Sequence, residues 1–178
     1  LNHRAVRWRY TKGHAGDPLN ERADQLATSM IPARALPAAE AGTTSIYIGV
    51  SCPGASGGWG LVLCADGEVQ EFTGAEARTT ANRLLILAAA EGLRRAPPDR
   101  PLRLFTAAEY LYRGATEWLA GWQRNGWRTR DGQPVKNQDA WRALAEALAA
   151  RKPQWHFVKG QIPPELTRAA ELAVGVVK

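Results

Sequence analysis

The chain has 178 residues, 45% of them hydrophobic and 22% charged, ordinary proportions for a globular domain long enough to bury a sizeable core. Its net charge is +6, from 23 Lys and Arg against 17 Asp and Glu, which suits a polyanionic partner without requiring one. No apolar run is long enough to cross a bilayer and nothing has the form of a secretory leader. The two cysteines, Cys52 and Cys64, are too few for a disulfide framework; free thiols in a reducing compartment are expected, hence a cytoplasmic protein with no membrane partner.

The chain opens on "KGHAGDPLNERADQLA", residues 12–27. A Lys-Gly turn leads through a loop holding His14 into a helix that carries Glu21, Arg22 and Asp24. Near the other end, "KGQIPPELTRAAELA", residues 159–173, has the same layout without the His and the Asp. Trp8, Lys12 and Gly13 match Trp155, Lys159 and Gly160, while Arg22, Ala23, Leu26 and Ala27 match Arg168, Ala169, Leu172 and Ala173. A repeat of that period is a whole domain, not a solenoid unit. Residues 1–30 therefore read as the last strand and helix of an upstream copy, and 31–44, rich in Pro and Ala, as a linker. The complete domain spans 45–178. With Leu1 first and Met30 the sole methionine, the chain reads as a piece of a longer product.

From Ser45 the pattern predicts a strand at 45–51, a "PGASGG" turn, a strand at 58–64, an "ADGE" turn and a strand at 68–74, an antiparallel meander. Thr79 or Thr80 caps a helix that stops at Pro97-Pro98. "LRLFTA" is a short buried strand, and residues 108–120 are helical with a break near Gly114. Between Trp118 and Trp141, four tryptophans alternate with Arg124, Arg128, Arg130 and Lys136, against only Asp131 and Asp139. "NQDAWRALAEALAAR" is a capped helix with Trp141, Leu144 and Leu148 on one face, followed by the strand "QWHFV" and a helix near 165–174. Three antiparallel strands followed by crossovers predict an α/β fold: a five-stranded mixed sheet with helices on both faces.

Residues 45–174 resemble a type 1 ribonuclease H, on "GGWG", "TTANR", "EWLAGWQRNGWRTRDGQPVKNQDAW" and "QWHFVKG" in the family's order and spacing. The resemblance implies the RNase H-like fold and an enzyme that cuts the RNA strand of an RNA–DNA hybrid with two divalent cations. Cations about 4 Å apart need converging carboxylates to hold them, and the family supplies four. In this chain those positions fall on Gly49, Leu85, Ala107 and Ala170, and the family's loop His falls on Gln161. None can grip a hard cation, so no metal and no catalytic residue is expected in the complete domain. Glu109, two residues past Ala107, belongs to the first turn of a helix facing elsewhere. His14 and Asp24 are remnants of an intact copy, and magnesium is expected only where that copy's body is supplied.

The same resemblance implies a protruding basic handle that lies against the DNA backbone, at Trp118, Trp122, Arg124, Asn125, Trp127, Arg128 and Arg130. Thr80 and Asn82 match positions that touch backbone, whereas Ala81 replaces an Asn and the "PGASGG" loop is about two residues short. Trp118, Trp122 and Trp141 equally suit a core role, with the arginines as its solvated cover. Lys159 either lines the binding face or belongs to the repeat's turn. Two functions follow. One is an inactive domain that binds hybrid or duplex backbone without sequence readout, beside an active upstream ribonuclease H copy. The other is a structural or protein-interaction module of a protein whose full-length form cleaves RNA in hybrids. Residues 1–30 could also complete a neighbouring copy's sheet by swapping.

Overall fold

The computed structural model describes residues 41–177. The expectations for residues 1–30, including His14 and Asp24, lie outside them. Strand β1 (Thr44–Ser51), β2 (Ser56–Ala65) and β3 (Glu68–Ala77) form the antiparallel meander. Helix α1 (Ala81–Arg95) follows, then β4 (Leu102–Thr106), α2 (Glu109–Arg113), a π-helical turn (Gly114–Trp118) and α3 (Leu119–Arg124). Helix α4 (Gln138–Ala150), β5 (Gln154–Phe157) and α5 (Pro164–Gly175) complete the domain. The sheet order is β3-β2-β1-β4-β5, with β4 parallel to β1 and β5 parallel to β4. This is the expected five-stranded mixed sheet. Its first strand starts one residue earlier than predicted, so Thr44 belongs to the sheet and not to the linker.

Two layers of helix follow from strand alternation. Ile46 and Ile48 of β1, with Leu61 and Leu63 of β2, point to one face and pack with Leu85, Ile86 and Leu93 of α1. Trp141 and Leu144 of α4 belong to the same core. Helix α5 covers the opposite face, where Leu166 packs with Phe105 and Val158. Thr80 caps α1, its hydroxyl accepting from the Arg83 N–H at 3.3 Å. Past the other end of α1, the Arg151 guanidinium donates to the carbonyls of Ala96, Pro97 and Arg100 at 2.7–3.3 Å. It ties α4 to the turn that the two prolines force.

One boundary differs from expectation for a packing reason. Strand β3 runs past Gly74 to Ala77 because that glycine stands opposite Trp59, whose indole fills the missing side chain's space. The α-helix is interrupted at Gly114, as expected. It widens into the π-helical turn, where the Leu119 N–H reaches back to the Gly114 carbonyl. A Cβ on Gly114 would stand 2.5 Å from the Trp141 Cζ2, so the glycine seats the indole directly on the helix backbone.

On the α5 side of the sheet, Tyr47, Phe105 and His156 lie in register on three neighbouring strands and stack at 4.7 and 4.6 Å. Burial pushes the Tyr47 phenol up to about 12, helped by the Glu165 carboxylate and Cys64. A raised pKa means that the fold favours the neutral phenol. Its contribution to stability is whole below pH 10 and is lost as pH rises towards 12. Tyr47→Phe should therefore lose less stability than the parent between pH 9 and 11; urea melts at both pH values check this, and equal losses would refute it.

Candidate nucleic-acid interface and the four carboxylate positions

The four positions that the resemblance assigns to carboxylates come from four elements. Gly49 and Ala107 each lie two residues beyond the paired Tyr47 and Phe105, one within β1 and one just past the end of β4. Leu85 is buried on α1 among the core residues. Ala170 sits on α5, and its backbone lies directly over Gly49. These side chains offer no ligand oxygen. Among the described residues, no group of three or more His, Cys, Asp and Glu could hold a metal ion. The site therefore does not fit a pair of magnesium ions. Glu109 provides no substitute. It lies on the first turn of α2, exposed, and its carboxylate faces Arg113 at 3.9 Å.

The basic stretch is a built loop. Tyr110, Trp118, Trp122 and Trp141 form a ring cluster with centroids 5.3–6.1 Å apart, and the Trp141 Nε1–H donates to the Tyr110 hydroxyl at 3.2 Å. The chain turns at Gly126 and Trp127, both at positive φ. Trp127 is buried, its N–H donating to Trp122 O at 2.7 Å and its carbonyl accepting from the Val135 N–H at 3.0 Å. The Arg142 guanidinium lies 4.9 Å from the Trp127 ring. Trp127 and Trp141 are thus core residues, Trp122 packs half-buried against them, and Trp118 is half-buried at the edge of the ring cluster.

The polar residues of the loop divide. Asn125 donates to the carbonyls of Arg128 and Thr129, and Arg128 donates to Gly132 O at 2.8 Å. Both hold the loop's shape. Arg124, Arg130 and Lys136 are exposed, and no ion pair to any of the three occurs among the described residues. Thr80 is committed to its cap, Asn82 is exposed on the first turn of α1, and Lys159 lies 4.9 Å over the Phe157 ring beside Gly160, whose φ is positive.

The sequence did not reveal the charge network at the base of α1. Arg83 bridges Glu76 of β3 at 2.9 Å and Asp139 of α4 at 2.7 Å. Hydrogen bonding to Arg83 holds the Asp139 carboxyl below the usual range. Arg83 therefore ties α1 and α4 to β3. Spacing along the sequence carries no sign of a contact between residues so far apart.

The family model described as RNase H matches residues 42–172. A ribonuclease H of Paramagnetospirillum magneticum is 42% identical over 134 residues, covering 74% of this chain and 87% of that protein. The chain belongs to the RNase H family. A ribonuclease HI of Pseudomonas aeruginosa is likewise 42% identical, over 72% of this chain and 88% of its own. Among solved structures, LC9-RNase H1, described as a type 1 RNase H with the type 2 active-site motif, superposes with a TM-score of 0.64. It is 23% identical over 76% of this chain and 72% of its own, a likeness of fold. As a family member, this chain places glycine, leucine and two alanines where the resemblance expects acids. No helix among the described residues is long and apolar enough to cross a membrane.

Proposed function

We propose that the described domain binds the sugar–phosphate backbone of RNA–DNA hybrid or duplex without sequence readout and does not cut it. One observation supports the reading: the basic loop is braced from within and exposes Arg124, Arg130 and Lys136, while the four assigned positions carry no ligand oxygen. Cations on phosphate give affinity that is indifferent to sequence. Membership of the RNase H family and the relatives' names support the hybrid as the nucleic acid met. The likeness of residues 12–27, with His14 and Asp24, to residues 159–173 supports an upstream active copy as the partner that cuts. In that arrangement magnesium belongs to the upstream copy.

The test is a labelled RNA–DNA hybrid incubated with the chain and Mg²⁺ or Mn²⁺. Retention on a native gel without shortened RNA is expected, with affinity falling steeply as salt rises. Metal-dependent cutting would overturn the reading. A second reading, a docking module within a protein whose full-length form cleaves RNA in hybrids, is favoured by the engagement of Arg83 and Arg128 inside the fold. Under that reading hybrid affinity does not depend on the handle cations.

A further inference from the structure

Gly49 lacks more than a ligand. A Cβ placed on it would stand 2.5 Å from the Cα of Ala170, and closer still to the Ala170 nitrogen and the Ala169 carbonyl carbon. Real Cβ atoms essentially never come within 3.0 Å of a neighbour, and these neighbours are backbone, so no change of rotamer relieves the clash. Gly60, paired with Gly49 across β1 and β2, faces the same helix: its Cβ would lie 2.7 Å from the Leu172 Cβ. Gly58 repeats the pattern, 2.8 Å from the Ala173 carbonyl oxygen. Helix α5 therefore rests on bare backbone, with Ala169 and Ala173 fully buried in the seam.

We propose that α5 seals the first-strand carboxylate position by backbone-to-backbone packing on Gly49, so that a metal-binding side chain cannot be restored there by substitution. The inference rests on the reading that this domain does not cut, and extends it from missing ligands to missing space. The helix is held down along its length. Leu166 is packed with Phe105 and Val158 near its start. Arg168 grips Glu71 of β3 through two hydrogen bonds of 2.8 and 2.9 Å. Raising α5 enough to admit even a methyl group breaks this close packing, in an interior where a single extra carbon is felt. An aspartate is larger than that methyl group and would press harder on the same backbone atoms.

The experiment compares the thermal melting of four forms of the 178-residue chain, with and without millimolar Mn²⁺. They are the parent, Gly49→Ala, the exposed control Ala107→Asp, and a variant combining Gly49→Asp, Leu85→Glu, Ala107→Asp and Ala170→Asp. Gly49→Ala should lower Tm by about 5 °C or more, while Ala107→Asp stays within about 1 °C of the parent. The combined variant should melt below Gly49→Ala, or fail to fold, and gain no Tm from Mn²⁺. A Gly49→Ala chain that melts with the parent would overturn the proposal. So would a folded combined variant that Mn²⁺ stabilises. Cutting by the parent chain would defeat the non-cutting reading and leave the Gly49→Ala result standing, so the two failures are distinguishable.

Discussion

Trp141→Ala should destabilise the domain by about 3–5 kcal/mol, the usual range for removing a large buried aromatic. The side chain has no exposed surface. Its ring lies against Trp122 and Tyr110, its Nε1–H is bonded to the Tyr110 hydroxyl, and its six-membered edge rests on Gly114. Alanine would leave a cavity bounded by a π-helical turn that exists in step with the indole, and would strip the Tyr110 hydroxyl of its donor. For a chain of this length the corresponding fall in Tm is about 10 °C. Urea melts of both proteins give the number directly. A loss below about 1 kcal/mol would show that the ring cluster does not cement α2, α3 and α4. The variant should also bind hybrid more weakly with every basic residue in place, because Trp122 supports the turn at Trp127 through the hydrogen bond between them.

How much of this was legible beforehand depended on whether the governing contact was local. Strand alternation in "SIYIGVS" exposes the two faces of β1 directly, since one row meets α1 and the other α5. Thr80 announced its helix through cap chemistry that involves only residue 83. The tryptophan-rich stretch was visible as a pattern, but its division of labour was not. Arg128 and Arg124 look alike in sequence, yet one closes the loop on Gly132 and the other points outward. Gly74, which β3 runs past, and Gly114, where the helix widens, hide their roles for a single reason. Each makes room for a tryptophan that arrives from another part of the chain, and a local reading sees only the glycine. Gly49 shows the same limit at the candidate site. The sequence reveals the missing acid, but the closure of α5 over it depends on helix and sheet meeting across more than a hundred residues.

Reversing the outward cations of the handle, Arg124→Glu with Arg130→Glu, should weaken hybrid binding at least tenfold at about 0.1 M salt. It should also flatten the salt dependence by roughly two in the log–log slope, one per phosphate contact removed. Arg128 is kept in this variant because its bond to Gly132 shapes the loop, and losing it would confuse folding with charge. Neither Arg124 nor Arg130 makes an ion pair among the described residues, and both are exposed, so Tm should stay within about 2 °C of the parent. The result separates the two functional readings by chemistry. A binding domain loses affinity and slope together and evenly across sequences, because phosphate contacts position without specifying. A docking module keeps whatever hybrid affinity it has, since its charges serve the fold through Arg83, Glu76 and Asp139. Salt titrations by fluorescence anisotropy on hybrid and duplex of one sequence measure both quantities, and an unchanged slope would remove the handle from the account of binding.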